Sequence, residues 1–214
     1  MTDLRILVTG FGPFPGAPFN PTPELVRRLT ALRRPAFADV TLISHVFDVS
    51  YGAVDRDLPR LIGIHKPNAL LMFGLAQRTK HLRIETRARN AVTQLWPDAA
   101  HTRVRKRAIA GDSGALTFGS HTSRLLRAAL TTGVDARPSR DAGSYLCNYL
   151  SWRGIEATCT TDGPSLAAFI HVPLVARSGV QRRSHGMTLD DLVAAGEAIL
   201  REMIAQTRRT SRND

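Results

Sequence analysis

The segment around which this chain is organised is Asp141-Ala142-Gly143-Ser144-Tyr145-Leu146-Cys147-Asn148-Tyr149-Leu150. A Gly-Ser turn leads into an apolar run, which predicts a short helix with Cys147 near its start and Gly154 at its end. The first turn of a helix offers free N–H groups and partial positive charge, which favour a thiolate and could hold an oxyanion. The segment therefore predicts a nucleophilic cysteine, although free cysteine is also often buried as a small hydrophobe.

Around this segment, apolar runs alternate with amphipathic stretches along the chain. Such alternation predicts an α/β fold, in which continuous apolar runs form the central parallel strands. We predict strands at 4–9, 40–47, 68–74, 134–138 and 166–173, and helices beginning near Asn20 and spanning 50–65, 120–130 and 188–206.

Several positions in these elements carry predictions of their own. Pro59 should kink the second helix or delay its start, and Leu130 should face inward on the third. Alternation over residues 81–91 predicts an edge strand that carries Glu85. The apolar residues of 92–118 recur at neither helix nor strand spacing, so we expect a surface excursion there.

Length and composition are those of one globular domain. The chain has 214 residues, of which 43% are hydrophobic, and no run approaches the length of a membrane span. The N-terminus lacks a signal peptide's basic region, and two cysteines do not indicate a disulfide framework, so we expect a cytoplasmic protein. No repeat or linker is visible, which predicts a single domain over 1–207 and a disordered basic tail over 208–214.

The net charge of +11 is the unusual bulk property. Such a charge attracts polyanions. The arginines are nevertheless scattered along the chain, and no nucleic-acid-binding motif accompanies the clusters at 103–107 and 208–212. Nucleic acid is therefore not the expected partner.

Three residues have complementary chemistry. A cysteine nucleophile such as Cys147 needs an imidazole to take its proton and return it to the departing amine, and a carboxylate can orient that imidazole. His171 ends a buried strand, and Glu85 lies in the alternating segment. Taken singly, His171 could be a core histidine and Glu85 a surface carboxylate. No pair of residues has zinc-ligand spacing, so neither a metal nor a cofactor is expected.

The chain resembles the type I pyroglutamyl peptidases, cysteine peptidases that remove an N-terminal pyroglutamate from peptides. The resemblance implies a three-layer α/β/α sandwich with an open, twisted, mostly parallel sheet, assembled as a homo-oligomer, either a tetramer or a dimer. It implies Cys147 as nucleophile, His171 as general base and acid, and Glu85 as the residue that orients His171. It rests on the following motifs: Val8-Thr9-Gly10-Phe11-Gly12-Pro13-Phe14, Asn20-Pro21, Gly74-Leu75-Ala76, Glu85 with Ala88 and Asn90, 142–149, and Phe169-Ile170-His171-Val172-Pro173.

An apolar substrate pocket is expected at the carboxyl ends of the strands, where open α/β sheets bind ligands. The family usually has glutamine where this chain has Leu75, and Glu-Arg-Val-Ala-Ile-Asn where this chain has residues 85–90. The catalytic residues therefore match the family, whereas the residues around the substrate differ. We predict that the pocket is lined by Phe11, Phe14, Leu75, Tyr145 and Leu146.

Three functions are compatible with these residues. The first is release of an N-terminal pyroglutamyl group through a thioester at Cys147. The second keeps the same three residues but acts on a different small amide. The third is a non-catalytic, basic binding protein, whose affinity for polyanions would fall steeply with salt.

Overall fold

The computed structural model describes residues 4–14, 16–111, 114–175 and 186–210. The strands and helices follow one another in α/β fashion, as the apolar pattern predicts. In chain order they are β1 (Leu4–Phe11), α1 (Thr22–Ala31), β2 (Val40–Phe47), α2 (Tyr51–His65), β3 (Ala69–Leu75), β4 (Leu82–Glu85), β5 (Arg87–Arg89), β6 (Ala115–Thr117), α3 (His121–Leu130), β7 (Ala136–Ser139), α4 (Leu146–Thr158), β8 (Leu166–Val172) and α5 (Leu189–Thr210).

A six-stranded sheet with the order β2-β1-β3-β8-β4-β7 forms the middle layer. Strands β2, β1, β3 and β8 are parallel, whereas β4 runs antiparallel to β8 and parallel to β7. The described part of the chain also has a two-stranded antiparallel sheet, formed by β5 and β6. The predicted α/β fold with a mostly parallel sheet is confirmed.

Apolar side chains cover both faces of the six-stranded sheet, because successive residues of a strand point to opposite sides. Ile6 and Leu71 pack on one face with α1, α3 and α5. Leu7 and Met72 pack on the other with α2 and α4. The result is an α/β/α sandwich with a core on each side of the sheet. None of the described helices is long and apolar enough to cross a bilayer.

The strand that carries Glu85 is not at the edge, as the sequence pattern had suggested. Strand β4 lies between β8 and β7, and Glu85 is fully buried. The alternation arises because Arg83 and Glu85 form an ion pair inside the protein, with 3.2 Å between Arg83 Nη2 and Glu85 Oε1. A buried ion pair and a solvated strand face leave the same alternating pattern in a sequence.

Gly154 does not end α4, which continues to Thr158. A Cβ at Gly154 would lie 2.5 Å from Met72 Cε on β3. The glycine therefore allows the helix to lie close against the sheet, which is a packing role rather than a stop signal.

Of the two alternatives given for Pro59 the delayed start is wrong, and so is the expectation that Leu130 faces inward. Helix α2 begins at Tyr51, because the side chain of Ser50 caps it by accepting a hydrogen bond from Ala53 N–H. The helix continues through Pro59 to His65. Leu130 is 47% exposed, because α3 ends at this residue, whereas Leu125 earlier in the helix is buried.

The C-terminal end is more ordered than expected. Helix α5 begins with a capping box, in which Thr188 and Asp191 exchange hydrogen bonds, and it extends to Thr210. The helix is anchored near its end by Thr207, which is fully buried and donates to Met203 O, so residues 208–210 of the predicted disordered tail are helical. The rest of that tail, residues 211–214, lies outside the described residues.

The described part of residues 92–118 is anchored to the body of the protein. Val92 and Phe118, at the two ends of this stretch, are buried. Asp98 is also buried, and its carboxylate accepts hydrogen bonds from the N–H groups of Tyr51 and Thr102. A carboxylate that receives backbone N–H groups holds an irregular segment in place without regular periodicity.

Replacing Gly163 by alanine should destabilise the turn between α4 and β8. A Cβ at this position would fall well inside contact distance of the Ala157 carbonyl oxygen, which is backbone and cannot move away alone. We expect the free energy of unfolding to fall by about 1–3 kcal/mol, measured by urea denaturation.

Gly63→Ala is the matched control, since no described atom lies within 4 Å of a Cβ at Gly63 in α2. There the alanine should be neutral or stabilise by up to about 1 kcal/mol. Equal stability of the two variants would contradict the assigned contact at Gly163.

Candidate active site

The site lies at the carboxyl ends of β1, β3 and β8, where the start of α4 meets the sheet. On β8, His171 is paired in register with Gly74 of β3 on one side and with Arg83 of β4 on the other. Strand β4 runs antiparallel to β8, so Glu85, two residues after Arg83, lies diagonally across from His171 on the neighbouring strand. The topology thus gathers residues that are far apart in the chain.

His171 and Glu85 form a buried hydrogen-bonded pair. Their Nδ1 and Oε1 atoms are 2.8 Å apart. Glu85 is 0% exposed and His171 only 4%. An ionised carboxylate can only accept, so Nδ1 donates its proton and Nε2 is the nitrogen left to face other groups. The carboxylate thereby sets both the tautomer and the orientation of the ring.

Cys147 is the second residue of α4, and its sulfur lies near enough to the His171 ring to raise the pKa of that imidazole. Gly74 makes room for it, since a Cβ there would lie only 2.7 Å from Cys147 Sγ. The side chain of the N-cap residue, Tyr145, makes no capping hydrogen bond. The first N–H groups of α4, beside the sulfur, therefore remain available to an oxyanion.

The protonation of His171 follows from these neighbours. Burial by itself lowers the pKa of this imidazole, but the Cys147 sulfur and the Glu85 carboxylate outweigh burial and raise the pKa from 6.5 to about 9. At neutral pH the ring is therefore an imidazolium, which can stabilise a thiolate and later donate a proton. Because the folded pKa lies above 6.5, this ionisation stabilises the fold fully below about pH 6.5 and ceases to do so as the pH rises through about 9.

A cavity of about 200 Å³ opens onto Cys147 and His171. All five residues that we predicted to line the pocket do line it. A larger groove of about 750 Å³ lies between α2 and α4, but Cys147, His171 and Glu85 are not among its lining residues. The candidate site is therefore identified by its reactive side chains and not by its volume. The smaller cavity is lined by Phe11, Phe14, Asn20, Val49, Leu75, Ala142, Gly143, Tyr145, Leu146, Cys147 and His171.

The polar side chains of this lining, apart from Cys147 and His171, are already engaged with the protein. The amide nitrogen of Asn20 donates to the carbonyl oxygens of Phe11 and Gly12, and its Oδ1 accepts from Thr22 N–H. The hydroxyl of Tyr145 donates to Pro97 O. The side chains of the pocket therefore present mainly aromatic and aliphatic surface to a ligand, with Cys147 and His171 as the polar side chains left to act on it.

Two residues of the site were not singled out from the sequence. Asn148 is fully buried and clamps the segment after Glu85 to α4: its Oδ1 accepts from Arg89 N–H, and its Nδ2 donates to Arg89 O and Ala91 O. Arg83 contacts the Glu85 carboxylate. The signal for Arg83 was its two-residue spacing from Glu85, which places both on one face of a strand.

A thiol at a helix start, a buried imidazole and a buried carboxylate, carried by an α/β/α sandwich, define a cysteine hydrolase. The family model for pyroglutamyl peptidase matches residues 4–206. The chain belongs to this family.

Known members are similar to the chain over nearly its whole length. The pyrrolidone-carboxylate peptidase of Pyrococcus furiosus is 26% identical, covering 94% of this chain and 100% of that one. That of Pseudomonas fluorescens is 29% identical, over 88% and 87% of the two chains. The solved pyrrolidone carboxyl peptidase from Thermococcus litoralis superposes with a TM-score of 0.85 at 23% identity, covering 97% of this chain and 96% of that one, which confirms the fold.

The raised pKa of His171 should be visible by NMR titration of its imidazole resonances. We expect a midpoint near pH 9 in the unmodified protein. In Cys147→Ala the midpoint should move to lower pH, because the sulfur that stabilises the imidazolium is gone.

Cys159→Ala serves as the control, because Cys159 is an exposed free thiol at the end of α4. Its His171 midpoint should equal that of the unmodified protein. An unchanged midpoint in Cys147→Ala would mean that the sulfur does not stabilise the imidazolium.

Proposed function

We propose that this protein is a cysteine peptidase that removes an N-terminal pyroglutamyl group from peptides through a thioester at Cys147. The observation that carries the proposal is that Cys147 and His171 line a mainly apolar cavity of about 200 Å³, while the buried Glu85 accepts a hydrogen bond from His171. A cavity of this kind suits a small ring and leaves the scissile carbonyl at the thiol. The names of the relatives agree with this substrate.

In the first half of the reaction, Cys147 acts as a thiolate beside the His171 imidazolium. Its sulfur attacks the carbonyl carbon of the pyroglutamyl group, and the negative charge moves to the carbonyl oxygen. The free N–H groups at the start of α4 stabilise that oxyanion. The carbon–nitrogen bond then breaks, and Nε2 of His171 gives its proton to the departing amine.

In the second half, the thioester is hydrolysed. Neutral His171 accepts a proton from water through Nε2, and the resulting hydroxide attacks the thioester carbon. The carbon–sulfur bond breaks, which releases pyroglutamic acid and restores the thiolate and imidazolium. Glu85 keeps Nδ1 protonated throughout, so Nε2 alone exchanges the proton.

Recognition of the ring depends mainly on shape and apolar contact. Leu75 cannot hydrogen-bond to a lactam, and the Asn20 amide is occupied by the protein's own backbone. Phe14 and Tyr145 form a tilted aromatic pair with ring centroids 6.2 Å apart, which gives one wall of the pocket. These contacts favour a compact, uncharged ring over a charged N-terminal residue.

The cellular setting is part of the proposal. Both cysteines are free thiols, and a nucleophilic thiol functions in a reducing compartment, which supports a cytoplasmic location. A homo-oligomer is proposed on the family resemblance alone. Nucleic acid is not proposed as a partner, since the positive charge is spread along the chain.

Hydrolysis of a pyroglutamyl-aminocoumarin amide tests the function directly. Cys147→Ala should reduce kcat by at least about a thousandfold, because the covalent step is lost. The paired control Cys159→Ala should leave kcat unchanged, since that thiol is exposed and lies outside the cavity lining.

Each other outcome has a distinct meaning. A folded protein without turnover, in which iodoacetamide still alkylates Cys147 rapidly, would indicate that another small amide is the substrate. Absence of turnover combined with slow alkylation would support a non-catalytic binding protein.

Leu75→Gln should improve recognition of the lactam. A glutamine amide at this position can hydrogen-bond to the ring, and such a bond contributes about 1 kcal/mol, or roughly fivefold in binding. We expect KM for the pyroglutamyl substrate to fall by about that factor at unchanged kcat. Leu75→Met, which adds no hydrogen bond, is the control and should leave KM unchanged. Equal KM values for the glutamine and methionine variants would show that residue 75 does not contact the ring.

A further inference from the structure

Arg83 occupies a central place behind the catalytic residues. It lies on β4 directly opposite His171 of β8 in the register of the sheet, and two residues before Glu85. Its side chain is only 22% exposed. A guanidinium this close to the His171–Glu85 pair is well placed to influence it.

The guanidinium contacts two different parts of the structure at once. Arg83 Nη2 lies 3.2 Å from Glu85 Oε1, the same oxygen that accepts from His171. The same nitrogen donates to Ser139 Oγ at 2.6 Å and to Asp141 O. Ser139 ends β7, and Asp141 begins the loop that leads to Cys147.

Glu85 depends on these contacts for its orientation. Its side chain is fully buried, and Oε2 has no hydrogen-bond partner among the described residues. The two groups that compensate its charge, His171 and Arg83, both act on Oε1. Loss of one of them leaves a buried carboxylate with a single polar partner, which is costly and removes a restraint on its orientation.

We propose that Arg83 is a positioning residue that holds the Glu85 carboxylate against His171 and ties it to the loop carrying Cys147. This inference rests on the proposed function, because it assigns Arg83 a role in the same three-residue chemistry. Arg83 acts through Glu85 and through the loop, and touches neither the substrate nor the thiol. Its planar, five-donor guanidinium suits this task, since it can bond to the carboxylate and the loop oxygens together.

The neighbouring strand supplies a matched control. Arg87 Nε also donates to a carbonyl of the loop, that of Arg140, at 2.8 Å. Its contact is with the loop, not with Glu85. A variant at Arg87 therefore reports the cost of losing an arginine–loop hydrogen bond, without the contact to the carboxylate.

The experiment is a double-mutant cycle on the pyroglutamyl-aminocoumarin amide. Arg83→Met should lower kcat by about ten- to hundredfold, the range found for groups that orient a functional histidine, with KM nearly unchanged. In the Glu85→Gln background the same substitution should cost no more than about twofold, because the group through which it acts is already removed. Arg87→Met should leave kcat within about twofold of the unmodified protein.

Arg83→Lys provides the conservative rescue. It keeps the positive charge but lacks the Nε–H that donates to Ser139 Oγ and the fixed planar geometry of the guanidinium, so we expect a kcat between those of the unmodified protein and Arg83→Met. If Arg83→Met does not fold, as judged by thermal unfolding, Arg83→Lys replaces it in the double-mutant cycle. The decrease in kcat caused by Arg83→Lys should likewise vanish in the Glu85→Gln background.

The inference is overturned if the losses from Arg83 and Glu85 multiply fully, or if Arg83→Met costs no more than Arg87→Met. It is also overturned if the lysine variant is as slow as the methionine variant. A Glu85→Gln protein with unchanged kcat would instead refute the proposed role of Glu85 itself, which is a separate failure.

Discussion

A carboxylate without access to solvent is the constraint around which this protein is arranged. Glu85 is fully buried, and an isolated charge in that position would be too costly to keep. It is retained because His171 donates to it at 2.8 Å and Arg83 lies at 3.2 Å from the same oxygen. The hydrogen bond from His171 to Glu85 keeps the ring oriented and leaves Nε2 to face other groups.

The topology of the sheet serves this pair. Four strands are parallel, and their carboxyl ends form the usual ligand-binding edge of an α/β sheet. Strand β4 departs from this by running antiparallel to β8, with Arg83 opposite His171 and Glu85 diagonally across from it. Strand β7, which is parallel to β4, lies on its other side, so that the carboxylate is kept from the edge of the sheet. The two reversed strands thus bring a carboxylate and a guanidinium to the histidine at the ligand-binding edge.

The core explains why the site residues hold their positions. Side chains of β3 alternate between the two cores, and glycines on the facing elements allow close approach where it is needed. Gly154 lets α4 lie on Met72, and Gly74 leaves space for the Cys147 sulfur. The position of the thiol relative to His171 is therefore a consequence of how tightly one helix packs on one strand.

From the sequence alone, the α/β fold and the main helices and strands could be predicted from the spacing of apolar residues. Local pattern made Cys147 and His171 candidates, and the family resemblance assigned their roles. Two of the assignments that failed depend on residues distant in the chain. The segment 81–91 looked like an edge strand because its pattern does not show that residues 136–139 pair with its outer side. Gly154 looked like a stop because its neighbour Met72 belongs to another strand. The local spacing of apolar residues determined the helices and strands. The geometry of the site was determined only by tertiary packing, because packing decides which polar groups are buried and which of them lie within hydrogen-bonding distance of one another.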